Sequence, residues 1–157
     1  GLDLVAAHAN VLVLRTFSKA YGLAALRVGY AIAQPEVIDV VRKLHVPFEV
    51  NAVAQAAALA SVRAQAEMRE RVDAVIAERE RVYAAMVERD LPVVRSQANF
   101  LWLDVPATAV ELAFHGERQG VVTRSFGDVG VRITIGTPDD NDRVLAMLDD
   151  ARAAGLV

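Results

Sequence analysis

The chain has 157 residues, no cysteine, a net charge of −3 and 54% hydrophobic residues. This composition supports a packed core and excludes disulfides, thiolate chemistry and an intrinsically disordered chain. No basic block points to nucleic acid, the three histidines (His8, His45, His115) lack ligand-like spacing, and no signal peptide or membrane-length apolar run is visible, so a soluble cytoplasmic protein without metal or membrane partner is expected.

Val11 to Arg15 is a short apolar run that predicts a buried strand. A glycine-punctuated loop follows, and Arg27 to Ala33 predicts a second apolar strand. Pro35 suits the first turn of a helix running to about Leu44, and Pro47 ends that stretch. This strand–loop–strand unit predicts the edge of an α/β sheet. Asn51 is placed to cap a helix over Ala52 to Val62. A longer helix over about Gln65 to Arg89 carries Met68, Val72, Val75, Ile76, Val82, Tyr83 and Met86 at helical spacing. Glu67, Arg71, Glu78 and Arg81 fill its other face, so the stripe predicts a core-facing amphipathic helix.

After Asp90-Leu91-Pro92 a smaller α/β unit is expected. Phe100 to Val105 reads as a strand, with Trp102 and Asp104 alternating against Leu101 and Leu103. Pro106 or Thr108 opens a helix to about Gln119, which Gly120 ends. Val121 to Arg124 and Val131 to Ile135 predict strands around a Gly127-Asp128 turn. Thr137-Pro138-Asp139-Asp140 caps a last helix to about Ala154.

Chemistry concentrates in the first loop. Lys19 and Lys43 are the only lysines beside fifteen arginines, so a lysine is an uncommon choice here. An amine forms a Schiff base with an aldehyde, whereas a guanidinium stays protonated. Ser18 and Arg27 supply a hydroxyl and a planar fork that suit a phosphate. Together they describe a site for a phosphate-bearing aldehyde such as pyridoxal 5′-phosphate (PLP). Pattern alone favours a solvated turn at Ser18-Lys19 and an ion pair at a strand end for Arg27.

The run Thr16-Phe17-Ser18-Lys19-Ala20-Tyr21-Gly22-Leu23-Ala24-Ala25-Leu26-Arg27-Val28-Gly29-Tyr30 resembles the Schiff-base lysine motif of fold-type I PLP-dependent aminotransferases, above all the histidinol-phosphate and aromatic (phenylalanine-type) branch. It departs from the family at Ala25, where glycine is usual. Weaker resemblance continues through Ser96-Gln97-Ala98-Asn99-Phe100 and Gly130-Val131-Arg132-Ile133-Thr134-Ile135-Gly136.

The resemblance implies an α/β fold: the end of the PLP-transferase large domain (1–50), linking helices (51–89) and a small C-terminal α/β domain (90–157). It implies that Lys19 is the catalytic amine and that Ser18, Lys19 and Arg27 bind the cofactor. Arg132 would clamp the substrate α-carboxylate, Asn99 would line the site, and Arg124 would face a distal substrate phosphate. A solvated strand arginine, a turn asparagine and a surface arginine are the respective alternatives, and Ser125 stands where the family often has proline. Tyr21 and Tyr30 are expected to pack rather than react.

Family members are more than twice as long and form homodimers, so the chain is expected to be a C-terminal fragment of an aminotransferase. The fragment alone is expected to be inactive, because the aspartate that faces the pyridine nitrogen precedes the matching region. The expected substrates are histidinol phosphate or an aromatic amino acid with a 2-oxo acid. A PLP-dependent phosphothreonine decarboxylase shares the lysine motif and stays open as the alternative.

Overall fold

A computed structural model describes all 157 residues. The chain is α/β and divides into two compact units, residues 1–71 and 72–157.

The first unit begins with a short helix, α1 (Leu2–Ala7). Strands β1 (Val13–Thr16) and β2 (Gly29–Ile32) then pair antiparallel, with Val13 opposite Ile32 and Thr16 opposite Gly29. The loop between them contains a 3₁₀ turn, Ala24–Leu26. Helix α2 (Pro35–Arg42) has proline in its first turn, and α3 (Ala52–Arg63) starts at Asn51, whose side chain accepts a hydrogen bond from the Ala54 N–H at 2.9 Å. That is the cap read from the sequence. A small core of Phe17, Val28, Ala54 and Ala58, with Tyr21, Leu23, Leu26 and Val50 packed on it, joins the loop to α3.

The sequence predicts that the first strand is buried, and the structure corrects this. Leu14 is 69% exposed and Tyr30 is also exposed. Apolar runs signal burial only where a wider sheet and its helices cover both faces. A ribbon of two strands gives each one hydrogen-bonded neighbour and leaves its faces largely open. Helix α2 likewise ends two residues before Leu44, the expected boundary, and Val40, Val41, Leu44, Val46 and Phe48 all face outward.

Helix α4 (Gln65–Glu88) contains the division between the units. In the second unit, strands β3 (Val93–Val94), β4 (Phe100–Leu103), β5 (Arg124–Ser125) and β6 (Val131–Thr134) form an antiparallel sheet in the order β3-β4-β6-β5. Helices α5 (Ala109–Arg118) and α6 (Pro138–Ala153) complete it. Leu101, Leu103, Val131 and Ile133 alternate onto the buried face and pack with Val82, Met86, Leu112, Leu145 and Leu148. Phe100, Trp102 and Arg132 therefore share the opposite face. The last helix starts with a full capping box: the Thr137 hydroxyl accepts from the Asp140 N–H, and the Asp140 carboxylate accepts from the Thr137 N–H. No helix is long and apolar enough to cross a membrane.

Along α4 the inward positions of the second unit include Val75, Arg79, Val82 and Met86. The stripe thus contains an arginine that the apolar pattern passes over, while Ile76, counted in it, faces outward.

Candidate active site

The lysine loop is closed at its base by ladder pairing. Thr16 lies opposite Gly29, and the Phe17 N–H donates to the Val28 carbonyl at 3.2 Å. Gly29 is needed there, because a Cβ would stand 2.6 Å from the Arg15 carbonyl oxygen. The Gly22 N–H donates to the Lys19 carbonyl at 2.9 Å, and the Leu23 N–H to the Phe17 carbonyl at 2.9 Å. Gly22 takes φ +70 inside this turn, a conformation that favours glycine. Phe17 is buried beneath the loop and stacks, tilted, on Tyr21 at 4.8 Å and Tyr30 at 5.9 Å. Tyr21 also accepts a hydrogen bond from the Gln65 amide at 3.3 Å.

This scaffold holds Ser18 and Lys19 outward. Lys19 is exposed and takes part in none of the ion pairs. The Thr16 hydroxyl donates to the Ser18 hydroxyl at 2.9 Å and accepts from the Ser18 N–H at 3.0 Å. Thr16 thus orients Ser18, a role that the sequence pattern does not assign to it, although it stands first in the motif. Arg27 closes the 3₁₀ turn in the left-handed region, φ 52 and ψ 48, and donates to the Ala24 carbonyl at 2.8 Å. Ala25, the departure from the family pattern, lies inside that turn without positive φ, so its side chain costs no backbone strain. The left-handed position is two residues on.

The donor set fits a phosphate-bearing aldehyde. The stretch from Leu4 to Pro35 contains Arg15, Lys19 and Arg27 and no acidic residue. A primary amine, two hydroxyls and a guanidinium stand on one short loop with no carboxylate among them to neutralise the cations.

The second unit carries the other predicted residues. Arg124 and Arg132 are directly opposite each other across β5 and β6, and Trp102 is opposite Arg132 on its other side. The Arg132 guanidinium lies over the Phe100 ring at 5.5 Å and over the Phe126 ring at 6.0 Å, while Arg124 lies over Phe126 at 4.9 Å. Arg132 Nε is buried without a hydrogen-bond partner. Asn99 leads into β4, and its carbonyl accepts from the Ile135 N–H at 3.0 Å. The preceding carbonyl, of Ala98, accepts from the buried Arg79 guanidinium at 3.1 Å, and the Ala98 N–H donates to the Ser96 hydroxyl. Ser125, where the family often has proline, turns its buried hydroxyl to the side lined by Val110, Ala113 and Phe114 of α5.

The structure therefore gathers Ser18, Lys19 and Arg27 on one loop and, within the second unit, Arg124 and Arg132 around shared aromatic rings. Sequence reasoning misses Thr16, Arg79 and Phe126. Only Thr16 leaves a local trace, as a hydroxyl two residues before another.

The model of the aminotransferase class I and II family matches residues 1–148. The chain belongs to that family. It is 49% identical over 156 residues to an aromatic amino acid aminotransferase from Rhodococcus jostii, an alignment that covers 99% of this chain and 44% of that protein. The chain thus spans less than half the length of that relative. Among solved structures, the histidinol-phosphate aminotransferase from Clostridium acetobutylicum superimposes with a TM-score of 0.88 at 18% identity, covering 98% of this chain and 49% of that one. The histidinol-phosphate aminotransferase from Sinorhizobium meliloti, solved in complex with pyridoxal-5′-phosphate, superimposes with a TM-score of 0.82 at 24% identity, covering 93% and 42%. These two likenesses speak for the fold, which is that of the PLP-transferase aminotransferases expected from the sequence.

Proposed function

We propose that this segment is the lysine-bearing part of a PLP-dependent aminotransferase that exchanges an amino group between an aromatic amino acid or histidinol phosphate and a 2-oxo acid. One observation carries the reading: an exposed, unpaired Lys19 on a hydrogen-bonded loop with Ser18 and Arg27 and no acidic residue. The name of the Rhodococcus relative favours the aromatic amino acids. Within the full-length protein, residues 1–50 would end the cofactor-binding domain, 51–89 would link, and 90–157 would form the small domain. The working unit would be a cytoplasmic homodimer.

Bound PLP supplies an electron-withdrawing ring that makes the Cα–H bond of an amino acid acidic enough to ionise. Arg27 would hold the phosphate through its planar fork, and the Ser18 hydroxyl, oriented by Thr16, would add a hydrogen bond. The Lys19 amine would take the proton from the amino acid Cα and hold it for return; its four-carbon stem gives the reach. Arg132 would bind the substrate carboxylate and so fix the direction of the Cα–H bond, with Asn99 beside it. Arg124 would meet the distal end of an anionic substrate.

The test uses the full-length protein. Borohydride treatment after PLP addition should attach the cofactor to Lys19, located by peptide mass, and phenylalanine with 2-oxoglutarate should turn over. Lys19→Ala should abolish both. Attachment to Lys43 or to no residue overturns the reading, as does carbon dioxide release from phosphothreonine in place of transamination. Residues 1–157 alone should show no turnover.

A further inference from the structure

The proposed role of Arg132 leaves a physical problem. Two guanidinium groups stand directly opposite each other in an antiparallel ladder. Like charges in that register repel. Neither Arg124 nor Arg132 enters any ion pair. Arg132 Nε is buried with no partner, so no hydrogen bond at that atom sets the direction of the fork.

What surrounds both cations is aromatic. Phe126 lies 4.9 Å from Arg124 and 6.0 Å from Arg132, and is the one ring common to the two. An aromatic face carries negative quadrupolar density and attracts a cation, more strongly where water is displaced. The ring is itself held in place. It packs against Trp102 at 5.5 Å, and the Phe126 backbone is fixed at both ends: its N–H donates to the Gly130 carbonyl at 2.9 Å and its carbonyl accepts from the Val129 N–H at 3.2 Å.

We propose that Phe126 is a positioning residue: its ring, shared by Arg124 and Arg132, holds the Arg132 fork in the orientation that receives a substrate carboxylate. The proposal rests on the carboxylate-binding role given to Arg132 above. Phe126 touches neither substrate nor cofactor in this scheme and acts through the guanidinium.

The experiment uses the full-length protein, with two readouts. One is the KM and kcat for phenylalanine in the PLP-loaded enzyme. The other is the calorimetric Kd of 3-phenylpropionate, a carboxylate without an amino group, for the cofactor-free protein. Phe126→Leu should raise both KM and Kd about three- to tenfold, the range one such contact gives, and leave kcat within about twofold. Phe126→Tyr should restore both to near the parent values. If the leucine variant does not fold, Phe126→Met, also without a ring and of similar size, takes its place. In an Arg132→Lys background, which itself raises both constants, Phe126→Leu should add less than about twofold, because the fork it orients is gone.

An unchanged KM and Kd in Phe126→Leu, with Arg132→Lys still raising both, overturns the positioning role and leaves the reading of Arg132 standing. Full multiplication of the two effects in the double variant does the same. If Arg132→Lys leaves both constants unchanged, the carboxylate-binding role itself falls, and the proposal falls with it.

Discussion

Gly130 has room for a hydrogen and nothing larger. A Cβ there would stand 2.6 Å from the Leu103 carbonyl oxygen and 2.6 Å from the Trp102 ring, at φ +156. Trp102 in turn supports Phe126. Gly130→Ala should therefore destabilise the second unit by about 3 kcal/mol, through backbone displacement at β6 and loss of the Trp102 seat. Urea unfolding followed by tryptophan fluorescence measures it, and a loss below about 1 kcal/mol would show that the turn yields. At this scale the motif around Lys19 is readable in the sequence alone, because its residues follow one another in a single run from Thr16 to Tyr30. Phe126 is not readable there. The Gly127-Asp128 turn announces the pairing of β5 with β6, but not that one ring beyond β5 lies under the guanidinium groups of both strands.

At the scale of elements, caps and stripes are legible to different degrees. Asn51 and Thr137 announce their helices because the cap is a local hydrogen bond between near neighbours. The apolar stripe of α4 is also legible, but one inward position escapes it. Arg79 occupies that site and is only 5% exposed. Its guanidinium donates to the Ala98 carbonyl and to the Glu80 carboxylate. A periodicity count cannot foresee a buried cation whose partner lies in a loop nineteen residues away. Removing it leaves the Ala98 carbonyl without its donor, which costs about 1–3 kcal/mol. Arg79→Ala should lose that much in urea denaturation, and it should also loosen the 96–99 loop, read as faster amide exchange at Ile135, whose N–H bonds to Asn99. Unchanged exchange at Ile135 would separate Arg79 from the placement of Asn99.

At the scale of the whole chain, the two units differ in what they enclose. The second packs a continuous apolar core and ties its surface with carboxylates held by donors. Glu78 is held below the usual carboxylate range by a hydrogen bond from Arg81, Glu80 by one from Arg79, Asp140 by the Thr137 hydroxyl, and Asp149 by Arg89. For groups with a depressed folded-state pKa, the stabilisation is fully present above the unfolded value, near pH 4, and is lost as pH falls through the lower folded values. Chemical denaturation of the second unit should therefore show a constant midpoint between about pH 7 and 5 and a steep decline below about pH 4. A midpoint that rises on acidification would contradict these pairings.

The first unit has fewer such ties and a smaller interior. Leu44 and Phe48, the latter 97% exposed, are apolar residues with no cover inside the 157. The α/β class is legible in the sequence because it follows from local periods. The exposure of β1 and β2 is not, because hydropathy records how a residue is suited, not which neighbours the chain contains. The chain spans 44% of the length of the Rhodococcus relative.

The left-handed backbone of Arg27 sets stability and use against each other at a single position. A side chain with a Cβ pays about 1 kcal/mol for that conformation, and glycine would relieve it. Selection for folding alone would therefore drive position 27 toward glycine, yet glycine has no fork with which to grasp an anion. Stabilising libraries screened only for heat resistance should enrich that replacement and, if Arg27 has the phosphate-holding role proposed above, return proteins that hold their shape and no longer hold their coenzyme.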